Sequence, residues 1–345
     1  MRFAVLLLAG ILAAPVLSAQ RSVPSGGQWL IEPGERSGFV RLTIRYGEHR
    51  YHDSWNSQDD VPMSQLVGLS AADMGGSGAT VHFKIVRSAG TLDCEGWFDD
   101  GKGSGHFTYQ PNADFVNELA KRGINTPPTA WEQFEMTMAG VGVELVDELK
   151  RQAYALPTAA DLARMATHGV DLEYVRDIGA RGYHLGDPKS LVRVRDHGVD
   201  GDYIAEMKAR GYQFSDLESL VRMRDHGVDP DLIESLNSAG YKNLGAEDLV
   251  RMRDHGVDGD YIADMKDLGY APANQEELIA CRDHGVDPSY IVSLKQAGYG
   301  NLSLEQLRRA RDHGVTRGFI ARVKARGYGN PSLEEVIRLR DRGLE

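Results

Sequence analysis

The sequence predicts an α+β multidomain protein, a small antiparallel β domain followed by an α-solenoid of 29-residue helical hairpins. Three observations carry this prediction. His168, His197, His226, His255, His284 and His313 are each followed by Gly-Val, and each lies 29 residues after the one before. A fixed period in this range marks stacked supersecondary units that cannot bury their apolar faces alone. Ahead of the repeats, short runs alternate apolar and polar residues between glycine and aspartate clusters, the pattern of half-buried antiparallel strands. The chain has 345 residues, 41% hydrophobic and 26% charged, which is a globular composition with room for about two domains.

Taken in order, the chain opens with Met1-Arg2 and an apolar run from Phe3 to Leu12. One positive charge before a run too short to span a bilayer reads as a secretory signal, residues 1–19, with Leu17-Ser18-Ala19 as the cleavage site. A retained N-terminal anchor is the alternative. The expectation is a secreted or periplasmic protein with no stable membrane span once the signal is removed. The formal charge, 39 − 50 = −11, argues against nucleic acid, because phosphate contacts need a basic surface. The two cysteines, Cys94 and Cys281, have no metal or redox spacing. They read as small core residues, since Cys281 stands where neighbouring repeats hold Met223 and Met252.

Residues 20–112 form the predicted β domain. Val40, Leu42 and Ile44 alternate with Arg41, Thr43 and Arg45; Val81, Phe83 and Ile85 alternate with His82, Lys84 and Val86; Leu92, Cys94 and Gly96 alternate with Asp93, Glu95 and Trp97 before an Asp99-Asp100-Gly101-Lys102-Gly103 turn. The polar and aromatic stretch from His49 to Asp60 reads as a loop able to carry a site. Candidate catalytic residues in this domain are His49, His52, Asp53, Asp93, Glu95 and His106. They would serve a hydrolase of a small ester, lactone or glycan, with or without a metal. Gly68-Leu69-Ser70-Ala71-Ala72 fails as a nucleophile elbow at its last position, and no His-Glu-x-x-His or phosphate-cradling loop occurs.

Residues 113–345 form the predicted array of about seven units, with half-units at its ends. Counting back 29 residues from Met165, Gly169-Val170 and Tyr183 gives Met136, Gly140-Val141 and Tyr154, so a degenerate unit runs from about Pro128. In the unit from Gln213 to Tyr241, Ser215-Asp216-Leu217-Glu218 is read as a capping box and Gly227 as the first helix's stop. Asp229 then caps a second helix that begins with Pro230. Similar caps are expected at Ser303, Ser332, Asp258 and Asp287. The core is expected from Leu220, Leu249, Leu278 and Leu307 in first helices and Ile204, Ile233, Ile262, Ile291 and Ile320 in second helices. Tyr183, Tyr212, Tyr241, Tyr270, Tyr299 and Tyr328 are expected to form a packed ladder between units.

Arg224 and its equivalents Arg195, Arg253, Arg282 and Arg311 fall in the middle of the apolar stripe of the helical wheel. They are expected to be core arginines, bonded to carbonyls or to an aspartate of the Asp229 series in the adjacent unit. Arg193, Arg222 and Arg251 point away from the stripe and are the candidate binding residues. Adjacent histidines of the row would stand about 9–10 Å apart, too far to share one zinc ion, so a helix-end role is expected and no metal site is predicted. No cofactor is predicted. Calcium or another divalent metal is the alternative left open by Asp200-Gly201-Asp202 and Asp258-Gly259-Asp260, turns that capping also explains.

The runs Leu220-Val221-Arg222-Met223-Arg224-Asp225-His226-Gly227-Val228-Asp229 and Asp260-Tyr261-Ile262-Ala263-Asp264-Met265-Lys266-Asp267-Leu268-Gly269-Tyr270 resemble the helical repeats found after the peptidase part of bacterial beta-lactam-sensor-type membrane metallopeptidases and in related secreted acidobacterial-type proteins. The resemblance covers roughly Pro128 to Glu345, and the peptidase part with its His-Glu-x-x-His site is absent from this sequence. It implies an extracytoplasmic sensing or binding array rather than a peptidase. The function expected is therefore interaction, with a protein, peptide or glycan bound on the repeat surface. The hydrolase in the β domain, or at its junction with the repeats, is the alternative.

Overall fold

The computed structural model describes residues 22–34, 36–46, 55–76, 78–270 and 274–344, with the backbone alone described for 55–59. The expected signal peptide, and with it His49, His52 and Asp53, lies outside the described residues. The chain divides into two compact units, Met1–Leu172 and Glu173–Glu345.

The first unit contains seven strands: β1 (Gly26–Pro33), β2 (Phe39–Tyr46), β3 (Trp55–Pro62), β4 (Leu66–Val67), β5 (Thr80–Val86), β6 (Gly90–Asp99) and β7 (Lys102–Pro111). They form one antiparallel sheet in the order β3-β2-β1-β7-β6-β5-β4. The two edge strands, β3 and β4, are consecutive in the chain and are joined only by Met63–Gln65. Four Cα steps reach at most about 14 Å, whereas the edges of a flat seven-stranded sheet would stand roughly 29 Å apart. The sheet therefore rolls until its edges approach.

The alternation read from the sequence sets the inside of this roll. Trp29, Ile31, Leu42, Ile44, Phe83, Ile85, Leu92, Cys94 and Phe98 are at most 2% exposed and share one core. The Trp29 indole lies across two strands to meet Phe83, with ring centroids 5.1 Å apart. That path needs glycine beneath it, because a Cβ at Gly96 or Gly105 would stand 2.4 or 2.7 Å from the indole. Asp100 and Gly101 take positive φ in the β6–β7 turn, as a two-residue hairpin demands. Burial pushes the Cys94 thiol up to about 12, and both cysteines are free and buried.

One expectation fails here. Trp55 to Asp60, read as loop, forms most of edge strand β3, paired with β2 from Tyr46↔Trp55 to Phe39↔Pro62. A strand is held by its backbone ladder, and this polar run lacks the apolar alternation by which strands are recognised. After β4 comes α1 (Ala71–Met74), opened by a Ser70–Asp73 capping box, so Ser70 is a cap.

Helices begin with α2 (Phe115–Lys121), α3 (Ala130–Ala139), α4 (Val143–Arg151) and α5 (Ala159–Thr167). Helix α3 belongs to the sheet's core: Phe134 and Met138 are fully buried there, and the Phe134 ring stands edge-on to Tyr46 and Tyr109 at 4.6 and 5.0 Å. The first compact unit thus takes in helices as well as strands.

In the second unit, first helices α7 (Pro188–Asp196), α9 (Glu218–Asp225), α11 (Ala246–Asp254), α13 (Gln275–Asp283), α15 (Leu304–Asp312) and α17 (Leu333–Asp341) alternate with second helices. The second helices are α6 (Leu172–Ala180), α8 (Gly201–Ala209), α10 (Pro230–Ser238), α12 (Gly259–Asp267), α14 (Pro288–Gln296) and α16 (Arg317–Val323). Like packs on like: α9 with α11 and α11 with α13, α10 with α12, α12 with α14 and α14 with α16. The fold is α+β, a β domain followed by helical repeats, and the repeated Leu and Ile positions are buried throughout. Gly227 has φ 69°, and the N–H of Val228 returns to the Met223 carbonyl at 2.8 Å, closing the helix end.

Capping follows the sequence with two exceptions. Asp229 and Asp258 accept from the N–H of Leu232 and Tyr261, Ser303 and Gln306 make a full box, and Ser332 accepts from Glu335. The box at Ser215 does not form. The helix starts two residues later, at Glu218, with Leu217 in the helical region as its cap residue and Asp216 accepting from the Glu218 N–H at 3.0 Å. Asp287 makes no side-chain cap, because its carboxylate is held by Arg282 at 2.6 Å.

Candidate functional site

Of the candidates in the β domain, Asp93, Glu95 and His106 have outward parity on β6 and β7. Asp93 is 3.2 Å from Lys84. Glu95 lies opposite His82 on one side and His106 on the other. This face is exposed, with Trp97 at 52% beside it. Among the described residues no group of three or more His, Cys, Asp or Glu is placed to hold a metal ion. Asp200 and Asp258 direct their carboxylates to the helix N–H of Tyr203 and Tyr261, as caps.

In the array, several rows of repeated polar side chains reach a neighbouring unit. The row of histidines ends the first helices, where each backbone N–H still bonds the preceding turn. In the five copies after His168 the rings reach carboxylates rather than the orphan carbonyls. Nδ1 of His197, His226, His255, His284 and His313 stands 2.5–2.7 Å from Oδ1 of Asp225, Asp254, Asp283, Asp312 and Asp341, each 28 residues ahead. The candidate binding arginines make a parallel row: Arg193, Arg222 and Arg251 pair with Glu218, Glu247 and Glu276 of the next unit, and Arg309 with Glu334. A shallow groove of ≈ 420 Å³ runs between these rows, lined by Arg193, Glu218, Arg222, Asp225 and His226. Its charged walls are already paired, Arg193 with Glu218, Arg222 with Glu247, Asp225 with His197 and His226 with Asp254.

The Arg224 series is not a core series. The Arg195 and Arg282 side chains are 38% and 34% exposed, and Arg224 is exposed. The helical wheel placed them in the stripe, but their stems leave the core over the preceding unit. There the guanidinium covers an aromatic ring: Arg195 over Tyr174 at 5.0 Å, Arg224 over Tyr203 at 4.7 Å, Arg282 over Tyr261 at 4.7 Å and Arg311 over Tyr290 at 4.8 Å. The expected partners are partly present. Arg282 donates to the Gly256 carbonyl of the unit before, at 3.0 Å, and meets an aspartate of its own unit, Asp287.

Those aromatics escaped the sequence reading. Tyr174, Tyr203, Tyr261 and Tyr290 are buried in second helices and donate their hydroxyls to the carbonyls of Val199, Val228, Val286 and Val315 at 3.0–3.1 Å. The available signal was a tyrosine three residues after the capping aspartate. Burial pushes the phenols of Tyr203 and Tyr290 up to about 12, and Tyr261 further. The tyrosine ladder that was expected is looser: Tyr212, Tyr270 and Tyr299 are half-buried and reach the Leu244, Leu302 and Pro331 carbonyls through their hydroxyls.

The outer ridge of the second helices is different. Asp202, Glu206, Asp231, Asp260, Asp264 and Asp267 are exposed and make no ion pair among the described residues, while Glu234 lies 3.7 Å from Arg210. The ridge turns neutral at Ser289, Val292 and Gln296 and basic at Arg322 and Arg326. No described helix is long and apolar enough to cross a membrane. No protein-family model and no curated protein matches the chain.

Proposed function

We propose that the chain is a secreted or periplasmic interaction protein that binds its ligand on the ridge of the second helices. One observation supports this reading above the rest, the contrast between the two sides of the array. The first-helix arginines Arg193, Arg222, Arg251 and Arg309 are neutralised by a glutamate of the neighbouring unit, whereas Asp202, Glu206, Asp231, Asp260, Asp264 and Asp267 on α8, α10 and α12 make no ion pair among the described residues. Arg193, Arg222 and Arg251 then act as rungs of the scaffold, and the residues that change from unit to unit select the partner. Unpaired carboxylates at several points of a long surface attract cationic groups and speed encounter with them. Among proteins, peptides and glycans, a basic peptide segment fits best. The resemblance of the units to extracytoplasmic repeat arrays supports the setting.

The test is retention of the full chain on immobilised peptides of graded net charge. Retention should rise with positive charge, weaken in higher salt, and fall in the combined Asp231→Asn, Asp260→Asn, Asp264→Asn variant. Retention that ignores both peptide charge and these substitutions would sink the reading. Turnover of an ester, lactone or glycan by the full chain would instead favour hydrolysis.

A further inference from the structure

The second helices share one more contact. Lys266, Lys295 and Lys324 occupy the same repeat position, and each ammonium donates to a last-turn carbonyl of the preceding second helix, 27 residues back. The acceptors are Ala239, Leu268 and Ala297, at 2.6 Å for Lys295 and 2.8 Å for Lys324. Such an amine satisfies orphan carbonyls and complements the negative end of the helix.

Lys208 stands in the same register, 58 residues before Lys266, and the carbonyl 27 residues before it belongs to Arg181. Lys208 makes no hydrogen bond or ion pair among the described residues. The difference lies in the side chain at the acceptor position. Where Ala239, Leu268 and Ala297 are uncharged, Arg181 sets a guanidinium beside the approaching ammonium, and like charges repel. Arg181 cannot easily leave, because Asp177 holds it at 3.1–3.2 Å. Asp177 is itself seated over Gly201, where a Cβ would meet its Oδ2 at 1.5 Å.

A cavity of ≈ 280 Å³ opens at this point between α6 and α8, lined by Ala180, Arg181, Tyr183, Ile204, Lys208 and Gln213. Its size suits a ligand no larger than an amino acid or a single sugar, since sites for drug-sized molecules begin at about 300 Å³. Asp177 pairs with Arg181, so among the lining residues Lys208 is the cation without a counter-charge. Buried Ile204 and exposed Ala180 are the aliphatic part of the lining, and the Gln213 amide makes no hydrogen bond among the described residues. We propose that this cavity binds a small monocarboxylate, with the carboxylate between Lys208 and the remaining N–H donors of Arg181. A dianion fits less well, because the carbonyl end of α6 borders the site and only one positive charge is in excess.

The site is separate from the acidic ridge and can be tested separately. The full chain is titrated calorimetrically with N-acetyl-L-alanine, which stands for a peptide terminus, with galacturonate, which stands for an acidic sugar, and with inorganic phosphate. Saturable binding is expected for at least one carboxylate, and which one binds identifies its source. Lys208→Asn, which installs the residue that the array itself carries at Asn237, should keep the helical circular dichroism. It should also weaken binding about tenfold or more, the loss of one charged hydrogen bond. Lys266→Asn should leave binding unchanged. The proposal is overturned if neither carboxylate binds, if phosphate binds more tightly than both, or if Lys208→Asn binds as the parent does.

Discussion

In the sheet unit, Trp29 crosses two strands to reach Phe83, and the core joins residues from β2, β5 and α3. In the array, the polar rungs between units span only 21 to 32 residues, each to an adjacent unit. The contrast teaches where damage should travel. A core built once from distant segments fails as a whole, whereas stability in stacked units is close to a sum of neighbour terms.

Alkaline pH should have the largest effect, on the sheet unit through the buried Cys94 thiol, raised from 9.0 to about 12, and on the array through its buried phenols. Tyr203 and Tyr290 are pushed from 10.0 to about 12 by burial, and Tyr261 is raised further by the same cause. Their neutral forms are the ones the fold accepts, so this stability is complete below about pH 10 and is lost as pH rises through about 12. Helical circular dichroism followed upward in pH should show the loss, and the double variant Tyr203→Phe, Tyr290→Phe should shift it to higher pH. An unshifted transition would mean that these phenols do not govern it.

Next comes Trp29→Ala, expected to cost about 3–5 kcal/mol, the usual range for a buried aromatic. Amide exchange should accelerate across all of β1 to β7 and leave α9 to α14 protected. Loss of protection in both regions together would break the comparison. Tyr203→Phe removes one inter-unit hydroxyl and leaves the Val228 carbonyl short of a partner, a loss of about 1–2 kcal/mol. Its exchange footprint should stay within α8, α9 and α10. The smallest effect belongs to Arg224→Met. The sequence reading of a core arginine implied a large drop in melting temperature, but an exposed guanidinium over the Tyr203 ring is worth about 0.5–1 kcal/mol. A drop of several degrees or more would restore the buried reading.

These particulars show which features were legible. The 29-residue period, the hairpin and most caps depend on bonds within a few residues, and Asp229, Asp258 and Ser303 behave as their positions predict. Inward and outward faces of β5 and β6 were equally plain, because side chains alternate along a strand. Strand β3 was missed because its pairing lies in the backbone. The rungs were missed because a helical wheel assigns a direction from the axis and contains no neighbouring helix. His226 could be placed at a helix end, yet its partner Asp254 belongs to the next unit.

The sequence by itself determined the repeat, most of its helix boundaries and its buried apolar positions, since each follows from local backbone chemistry and from periodicity. Only the tertiary structure decided which charges are used up. Arg222 and Asp260 are equally exposed residues in the sequence pattern, but stacking brings a glutamate to Arg222 and, among the described residues, no cation to Asp260. The same stacking leaves Lys208 beside Arg181, where its counterparts find a carbonyl. Electrostatic pairing depends on distance across units, and that distance exists only once the units are packed.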